Sequence, residues 1–425
     1  MGVKIVSLPS GKTLFELNSD KLLHPASNVK LLTTASALHY LGSNFEIRTE
    51  FSMDGNKNLY IKSYGNSLLR TEHFTEIAQH IVQKKYHTLN DIIADVSYFD
   101  DTYWGKGWMW DDEPDKTAMY ISPLSLNGNT VAVYVTPSSV GKNPMVEIAP
   151  NTHFIALQNT AITSRIASLP KFEVTRKWKE RENTIIVKGN LPAASARDTF
   201  FVNVWNPVMY ALTVFKEQYE QSGGKVHGTL RIGKKEKSTL IISQRTLLDS
   251  LLWKANKESD NLSAENLLRI IAAEKFAQPA SAEDGIFLEK KYFHTMGIDT
   301  TQIILADGSG ASDYNLASAN QIAMLLQNQF QNKATFNNFL HSLAIAGRDG
   351  TLKNRMNGTL AENIVYAKTG TKRGVSSLSG YVMNGKDAEI AFSIIINHFY
   401  GEGKILRGII DQCVTALATE AKKEK

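Results

Sequence analysis

The chain has 425 residues, 43% of them apolar and 21% charged, with a formal net charge of +5; this describes a soluble globular protein too long for one ordinary core, so two or three domains are expected. Lys and Arg are scattered apart from Lys234-Lys235-Glu236-Lys237 and the tail Lys422-Lys423-Glu424-Lys425, which read as solvated faces and a frayed terminus, and no nucleic-acid partner is expected. The single cysteine, Cys413, excludes an intrachain disulfide and a Cys-based metal site, and the ten histidines show no ligand spacing, so no metal or cofactor is expected.

The chain opens on Met1-Gly2-Val3-Lys4-Ile5-Val6-Ser7, which lacks the apolar core of a signal peptide, and no later run is long and apolar enough to span a membrane. Residues 3–8 and 13–17 are apolar-rich strands around Pro9-Ser10-Gly11-Lys12, a hairpin signal. Pro25 favours a helix start, and Leu31, Leu32, Ala35 and Leu38 recur at helical spacing, which predicts a helix over about 27–41, ended by Gly42. From about residue 50 to 240 short strand-like runs alternate with Gly, Pro and Asn turns, at 59–62, 131–136, 146–148, 185–188 and 200–205, with helices near 71–84 and 207–222. Long helical patterns then return. Strands are expected over 364–368, 376–383 and 389–397, followed by a closing helix on which Cys413 reads as a buried small apolar residue. Both ends therefore look like one α/β unit interrupted in its middle.

Ser27 and Lys30 stand three residues apart at the head of the first helix, a spacing that projects both from one face. A serine hydroxyl is a weak nucleophile at neutral pH and needs a base to take its proton during attack. Lys30 is that base only when neutral. Its amine ordinarily titrates near about 10.4, and bringing it to around 7 takes roughly 4 to 5 kcal/mol of selective destabilisation of the charged form. Burial and a second cation can supply that. The spacing alone is weak evidence, because it recurs at Ser139/Lys142, Ser168/Lys171 and Ser222/Lys225, in loop-like sequence where no helix fixes the geometry. His24 invites a Ser-His reading, but no carboxylate partner for it is evident. Two later signals single out Ser27. One is Ser259-Asp260-Asn261, directly before a helical run; the other is Lys368-Thr369-Gly370, which occurs once, at the end of an apolar strand-like run. Ser-x-Asn has decoys at Ser125/Asn127 and Ser318/Asn320, so the order and wide spacing of the three motifs carry the specificity.

With these go Gly107-Trp108-Met109-Trp110-Asp111-Asp112, Ser122-Pro123-Leu124-Ser125-Leu126-Asn127, Asp307-Gly308-Ser309-Gly310, Asp349-Gly350-Thr351-Leu352 and Lys368-Thr369-Gly370-Thr371. Over nearly its whole length the chain resembles the class C low-molecular-mass penicillin-binding proteins, D-alanyl-D-alanine carboxypeptidases and endopeptidases that carry the Ser-x-x-Lys and Lys-Thr-Gly signature of the penicillin-recognising group. The resemblance implies an α/β fold. A transpeptidase-like domain of the penicillin-binding-protein and serine β-lactamase kind, an antiparallel sheet flanked by helices, is expected over 1–50 and 240–425. A mainly β inserted domain over 51–138 and 193–239 would split it, itself carrying a smaller β insertion over 139–192.

The same resemblance implies roles. Ser27 is the nucleophile, Lys30 the base, Ser259 the relay to the departing amine, and Asn261 the holder of the substrate's peptide amide. Lys368 and Thr369 bind the terminal carboxylate, and Lys368 is the candidate second cation beside Lys30. Gly370 lets the backbone pass close to the substrate, and the N–H groups of Ser27 and Thr371 form the implied oxyanion hole, about 3 to 4 kcal/mol each. In relatives an acid at Asp111 or Asp112 reaches over the active site and binds the amine of the stem-peptide side chain; the plain alternative is a solvated acidic turn. Asp313 stands where many relatives have an arginine facing the side-chain carboxylate, and Asp115-Lys116-Thr117 where they tend to have aromatics, so acids surround the expected side-chain site.

The implied partners are peptidoglycan stem peptides and β-lactam antibiotics. Relatives are normally exported behind a signal and a leading helix, so a periplasmic or extracytoplasmic location is expected and the start of the chain reads as truncated. Two rival functions share much of this pattern. A serine β-lactamase has the same three motifs but is typically compact, without so long an insert. A catalytically silent penicillin-fold binding protein usually loses a motif residue, and none is lost here.

Overall fold

The computed structural model describes residues 1–385, 387–401 and 403–423; Glu424 and Lys425, the end of the basic tail, lie outside the described residues. The chain divides into two compact units. One comprises Met1–Glu46, Gly105–Trp108 and Thr246–Lys425, the other Ile47–Trp104 and Met109–Arg245.

The first unit is built on a six-stranded antiparallel sheet in the order Ala344–Ile345, Val365–Lys372, Val375–Asn384, Asp387–Asn397, Gly2–Ser7, Thr13–Leu17. The two N-terminal strands form the expected hairpin, with Gly11 in its turn at φ +69°. Gly2–Ser7 then lies beside a strand from the far end of the chain, in register from Gly2↔Ile395 to Ser7↔Ile390. The central strands are buried nearly end to end, which is why Ile394-Ile395-Ile396 reads as a continuous apolar run and not as an alternation.

Helices Ala319–Gln331 and Gly403–Lys423 pack against this sheet. The second does so through Ile410, Val414, Ala418 and Ala421. Cys413, expected to be buried, is exposed: it precedes Val414 by one residue and is turned about 100° away from that seam.

The helix expected over 27–41 has two parts, a 3-10 turn Ala26–Asn28 and an α-helix Val29–Leu41 closed by Gly42 at φ +79°. Every residue from 29 to 38 is buried. A helix covered all round belongs to a core, and Leu248–Lys257, Asn261–Lys275 and Ala282–Thr295 surround this one.

The second unit has a mixed five-stranded sheet, in the order Leu230–Ile232, Ile92–Asp95, Leu59–Ser63, Glu46–Met53, Thr239–Leu247. Its helices Thr71–Gln83 and Pro207–Gln221 fall on the segments that read as helical. Asn206 caps the latter by accepting from the Met209 N–H at 3.2 Å, with Pro207 in the first turn where its missing N–H is harmless. Residues 139–192, read as a separate domain, fall inside this unit. Their Ala161, Ile185, Val187 and Leu191 join Phe51, Phe74 and Phe215 in one core cluster.

Candidate active site

Ser27 lies in the 3-10 turn, next to Ala26, whose φ of +47° is unusual for a residue with a side chain. Two glycines from distant parts of the chain make room for that turn. A Cβ on Gly310, itself at φ +80°, would stand 2.0 Å from the Ala26 carbonyl oxygen; one on Gly370 would stand 2.6 Å from the Pro25 carbonyl oxygen and 2.1 Å from Ser377 Oγ. No side chain fits at either place. Ser377 Oγ donates to the Pro25 carbonyl at 2.8 Å, and Asn28 Nδ2 donates to Ser379 Oγ at 2.7 Å, which fastens the turn to strand Val375–Asn384.

Lys30, one turn on, is completely buried. Its Nζ is 3.1 Å from Ser27 Oγ, 2.6 Å from Asn261 Oδ1 and 2.6 Å from the Ser309 carbonyl oxygen. Burial pulls the amine down to about 8 against the opposing charges of Asp307, Asp260 and Glu265. Asn261 begins helix Asn261–Lys275, whose cap is Asp260: its carboxylate accepts from the Ser263 N–H at 2.8 Å and from Ser263 Oγ at 2.6 Å. Ser259, just before the cap, is at φ +62°.

Lys368 is also fully buried and donates to Ser259 Oγ and to the Thr369 carbonyl, both at 2.8 Å. Burial, and then the charge of Lys30, hold its amine well below the lysine range. The charge of Lys30 thus bears on Lys368, the residue expected as the second cation beside it. The short strand Ala344–Ile345 pairs only with Ala367 and Tyr366, which leaves Lys368, Thr369, Gly370 and the exposed Thr371 at the rim of the sheet. Thr369 Oγ1 bonds Thr351 Oγ1 at 2.9 Å.

The remaining expected residues stand outside this cluster of contacts. Asp313 is not a lone acid: Lys372 Nζ is 2.6 Å from its Oδ1. Asp111 and Asp112 belong to the second unit, on the 3-10 turn Trp110–Asp112. Asp112 Oδ2 accepts from the Met109 N–H at 2.9 Å, while Asp111 is exposed. Both line a cavity of about 410 Å³, with Lys116, Phe200 and Phe201 also in its wall. His24 has its Nδ1 3.1 Å from the Asn315 carbonyl and its backbone N–H on Asn397 at 2.6 Å, a structural engagement. Among the described residues no group of His, Cys, Asp or Glu could hold a metal ion, and no helix is long and apolar enough to cross a membrane.

A serine against a buried lysine at the head of a core helix, faced by a second buried lysine at a sheet rim, is the layout of a serine acyl-transfer enzyme of the penicillin-recognising group. Comparison with known proteins carries this further. Residues 1–420 match the D-Ala-D-Ala carboxypeptidase 3 (S13) family, and the chain belongs to that family of serine-type D-alanyl-D-alanine carboxypeptidases. It is 32% identical over 424 residues to a D-alanyl-D-alanine carboxypeptidase of an Actinomadura species, covering 94% of this chain and 78% of that protein. In fold it is similar to penicillin binding protein 4 from Haemophilus influenzae, with a TM-score of 0.86 at 23% identity over 98% of this chain and 96% of that one. The same protein complexed with a β-lactam gives a TM-score of 0.80 at 22% identity, with the same coverage.

Proposed function

We propose that this carboxypeptidase cleaves peptidoglycan stem peptides through an acyl-enzyme on Ser27, and that β-lactams acylate the same oxygen. The observation that carries the reading is Ser27 Oγ at 3.1 Å from the buried amine of Lys30. The substrate's terminal carboxylate binds at Lys368 and Thr369 on the sheet rim, and Asn261 holds its peptide amide. The arriving carboxylate is met by the amine of Lys368, and Lys30 acts in the neutral form that its burial favours. Lys30 then takes the Ser27 proton as Oγ attacks the penultimate D-alanyl carbonyl. The oxyanion is received by the N–H groups of Ser27 and Thr371. The C–N bond breaks, Lys30 returns its proton through Ser259 to the departing amine, and water hydrolyses the ester. A hydroxyl suits that relay because it donates and accepts.

Asp111 and Asp112 are assigned to the amine of the stem-peptide side chain, with the exposed Asp111 the freer of the two. Replacing either by Ala raises KM mainly for amine-bearing peptides and leaves a bare acyl-D-Ala-D-Ala substrate nearly unchanged, the mark of lost remote binding; equal losses on both substrates would show the assignment wrong. Asp313, where many relatives have an arginine, is assigned to the same side-chain site, and Lys372 beside it offsets its charge. The polymer substrate places the enzyme in the periplasm or another extracytoplasmic space.

The test is intact-mass detection of a penicillin adduct, mapped to its peptide. A long-lived adduct on Ser27, absent from Ser27→Ala, is expected. An adduct that persists in Ser27→Ala would sink the assignment, and rapid turnover of nitrocefin would favour a β-lactamase.

A further inference from the structure

Asp307-Gly308-Ser309-Gly310 has no role in the acyl transfer described above, yet its backbone touches the base. The Ser309 carbonyl oxygen and Asn261 Oδ1 each lie 2.6 Å from Lys30 Nζ, and neither atom can donate. A neutral amine has two hydrogens and one lone pair. With both hydrogens taken by these two oxygens, the lone pair is left for the Ser27 hydroxyl at 3.1 Å. The two acceptors therefore set the direction in which the base points.

The Ser309 carbonyl is in turn held from behind. The Gly310 N–H, the other half of the same peptide group, donates to Asp307 Oδ1 at 2.8 Å. A carboxylate thus sits at one end of that peptide dipole and Lys30 at the other, an arrangement in which each hydrogen bond strengthens the next. The Gly308 and Ser309 N–H groups both donate to Glu265 Oε1, at 3.1 and 3.0 Å, and Arg269 Nη1 donates to Glu265 Oε2 at 3.1 Å. Asp307 also accepts from Trp108 Nε1 at 2.8 Å, the Ser312 N–H at 2.7 Å and Asn315 Nδ2 at 2.8 Å. Glu265 and Asp307 are both buried.

We propose that Glu265 and Asp307 are positioning residues: through the Gly308 to Gly310 backbone they fix the Ser309 carbonyl, and the carbonyl aims the Lys30 lone pair at Ser27. This rests on Lys30 being the base. The charges around Lys30 are those of Asp307, Asp260, Glu265 and Lys368, and those around Glu265 are Arg269, Asp307 and Glu289. Removing the Glu265 charge leaves Lys30 with less to offset its own, so the amine loses its proton at lower pH.

The test is the rate of acylation by a fluorescent penicillin, per folded molecule, from about pH 6 to 10 in the full chain. Glu265→Gln keeps an oxygen for the Gly308 and Ser309 N–H groups but not the charge. Its rising limb is expected roughly half to one pH unit lower, with a plateau within about threefold of wild type. Glu265→Ala removes the acceptor, and its plateau is expected to fall about tenfold or more while KM for an acyl-D-Ala-D-Ala peptide is unchanged. A purely structural role would lower the melting temperature and leave the limb where it was. Because either variant strands Arg269, Glu265→Gln with Arg269→Met, which removes the buried pair together, is measured alongside. A limb that stays put in both Gln variants, or a Glu265→Ala enzyme that acylates at the wild-type rate per folded molecule, overturns the proposal. Lys30→Ala separates the two levels: wild-type acylation there defeats the base assignment itself, whereas an inactive Lys30→Ala beside unaffected Glu265 variants defeats only the positioning role.

Discussion

As the proposed base, Lys30 is expected to set the pH at which this enzyme acylates. In the proposed mechanism its neutral form is the base, and burial lowers its amine to about 8, so the acylation rate is expected to fall about tenfold for each pH unit below that value and to level off above it. Penicillin acylation rates across pH 6 to 10 measure this, and a flat profile would place the proton elsewhere. Lys30→Ala is expected to lower the rate by about 10² or more, and Lys30→Arg to do no better, because a guanidinium does not deprotonate at working pH. The residues of the three motifs are legible without coordinates because their types, order and wide separation coincide rarely. Other residues are not. Glu265 and Arg269 have the four-residue spacing of an ordinary surface ion pair, and nothing in the sequence shows that both are buried. Asp313 reads as an unpaired acid because its partner, Lys372, comes from a strand far along the chain.

The turn that carries Ser27 depends on glycines outside it. Gly310→Ala puts a Cβ at 2.0 Å from the Ala26 carbonyl and at a backbone φ of +80°, so it is expected to cost roughly 2 kcal/mol or more of stability and to lower acylation about 10²-fold by displacing the Ser27 turn. Gly42→Ala is the comparison. Its φ is +79° with ψ +158°, but nothing lies within 4 Å of the added Cβ, so a loss of roughly 1 to 3 kcal/mol with unchanged acylation is expected. Urea unfolding and penicillin acylation of the two variants decide the matter; equal acylation in both would mean that the turn tolerates the displacement. Helix and strand positions in this unit follow from apolar periodicity, which is why the hairpin and the closing strands are readable. The 3-10 turn at Ser27 is not, since a single turn has no period. The burial of helix Val29–Leu41 on every side is also hidden, because Thr33, Thr34 and Ser36 look like a polar face. Two of them are satisfied within the core, Thr33 Oγ1 on the Gly308 carbonyl at 2.8 Å and Thr34 Oγ1 on the Lys30 carbonyl at 2.6 Å.

At the scale of the whole molecule, buried acids shape stability. Glu289 on helix Ala282–Thr295 is fully buried, and that burial pushes it up to about 8. Between its ordinary value of about 4.5 and about 8, the unfolded chain has released this proton and the folded chain has kept it. Stability therefore falls as pH rises through that window. Glu289→Gln removes the effect, so its melting temperature is expected to exceed that of wild type by an amount that grows from pH 5 to pH 8. A constant difference would show that the carboxyl ionises normally.

The pairing of the first strand with one of the last has a consequence for how the protein comes into being. Lys30 meets Asn261 only 231 positions later, and His24 meets Asn397 only after 373. At about 5 to 20 residues per second, a ribosome needs roughly 20 to 75 seconds to cover the longer of these distances. For all of that time Val3, Ile5 and Val6 lack the strand Asp387–Asn397 they pair with, and the whole span from 47 to 245 emerges before it does. Ser27 is made long before the strand Asp387–Asn397 with which Gly2–Ser7 pairs. A carboxypeptidase so arranged is expected to gain its reactivity toward penicillin only once that late strand has emerged and paired.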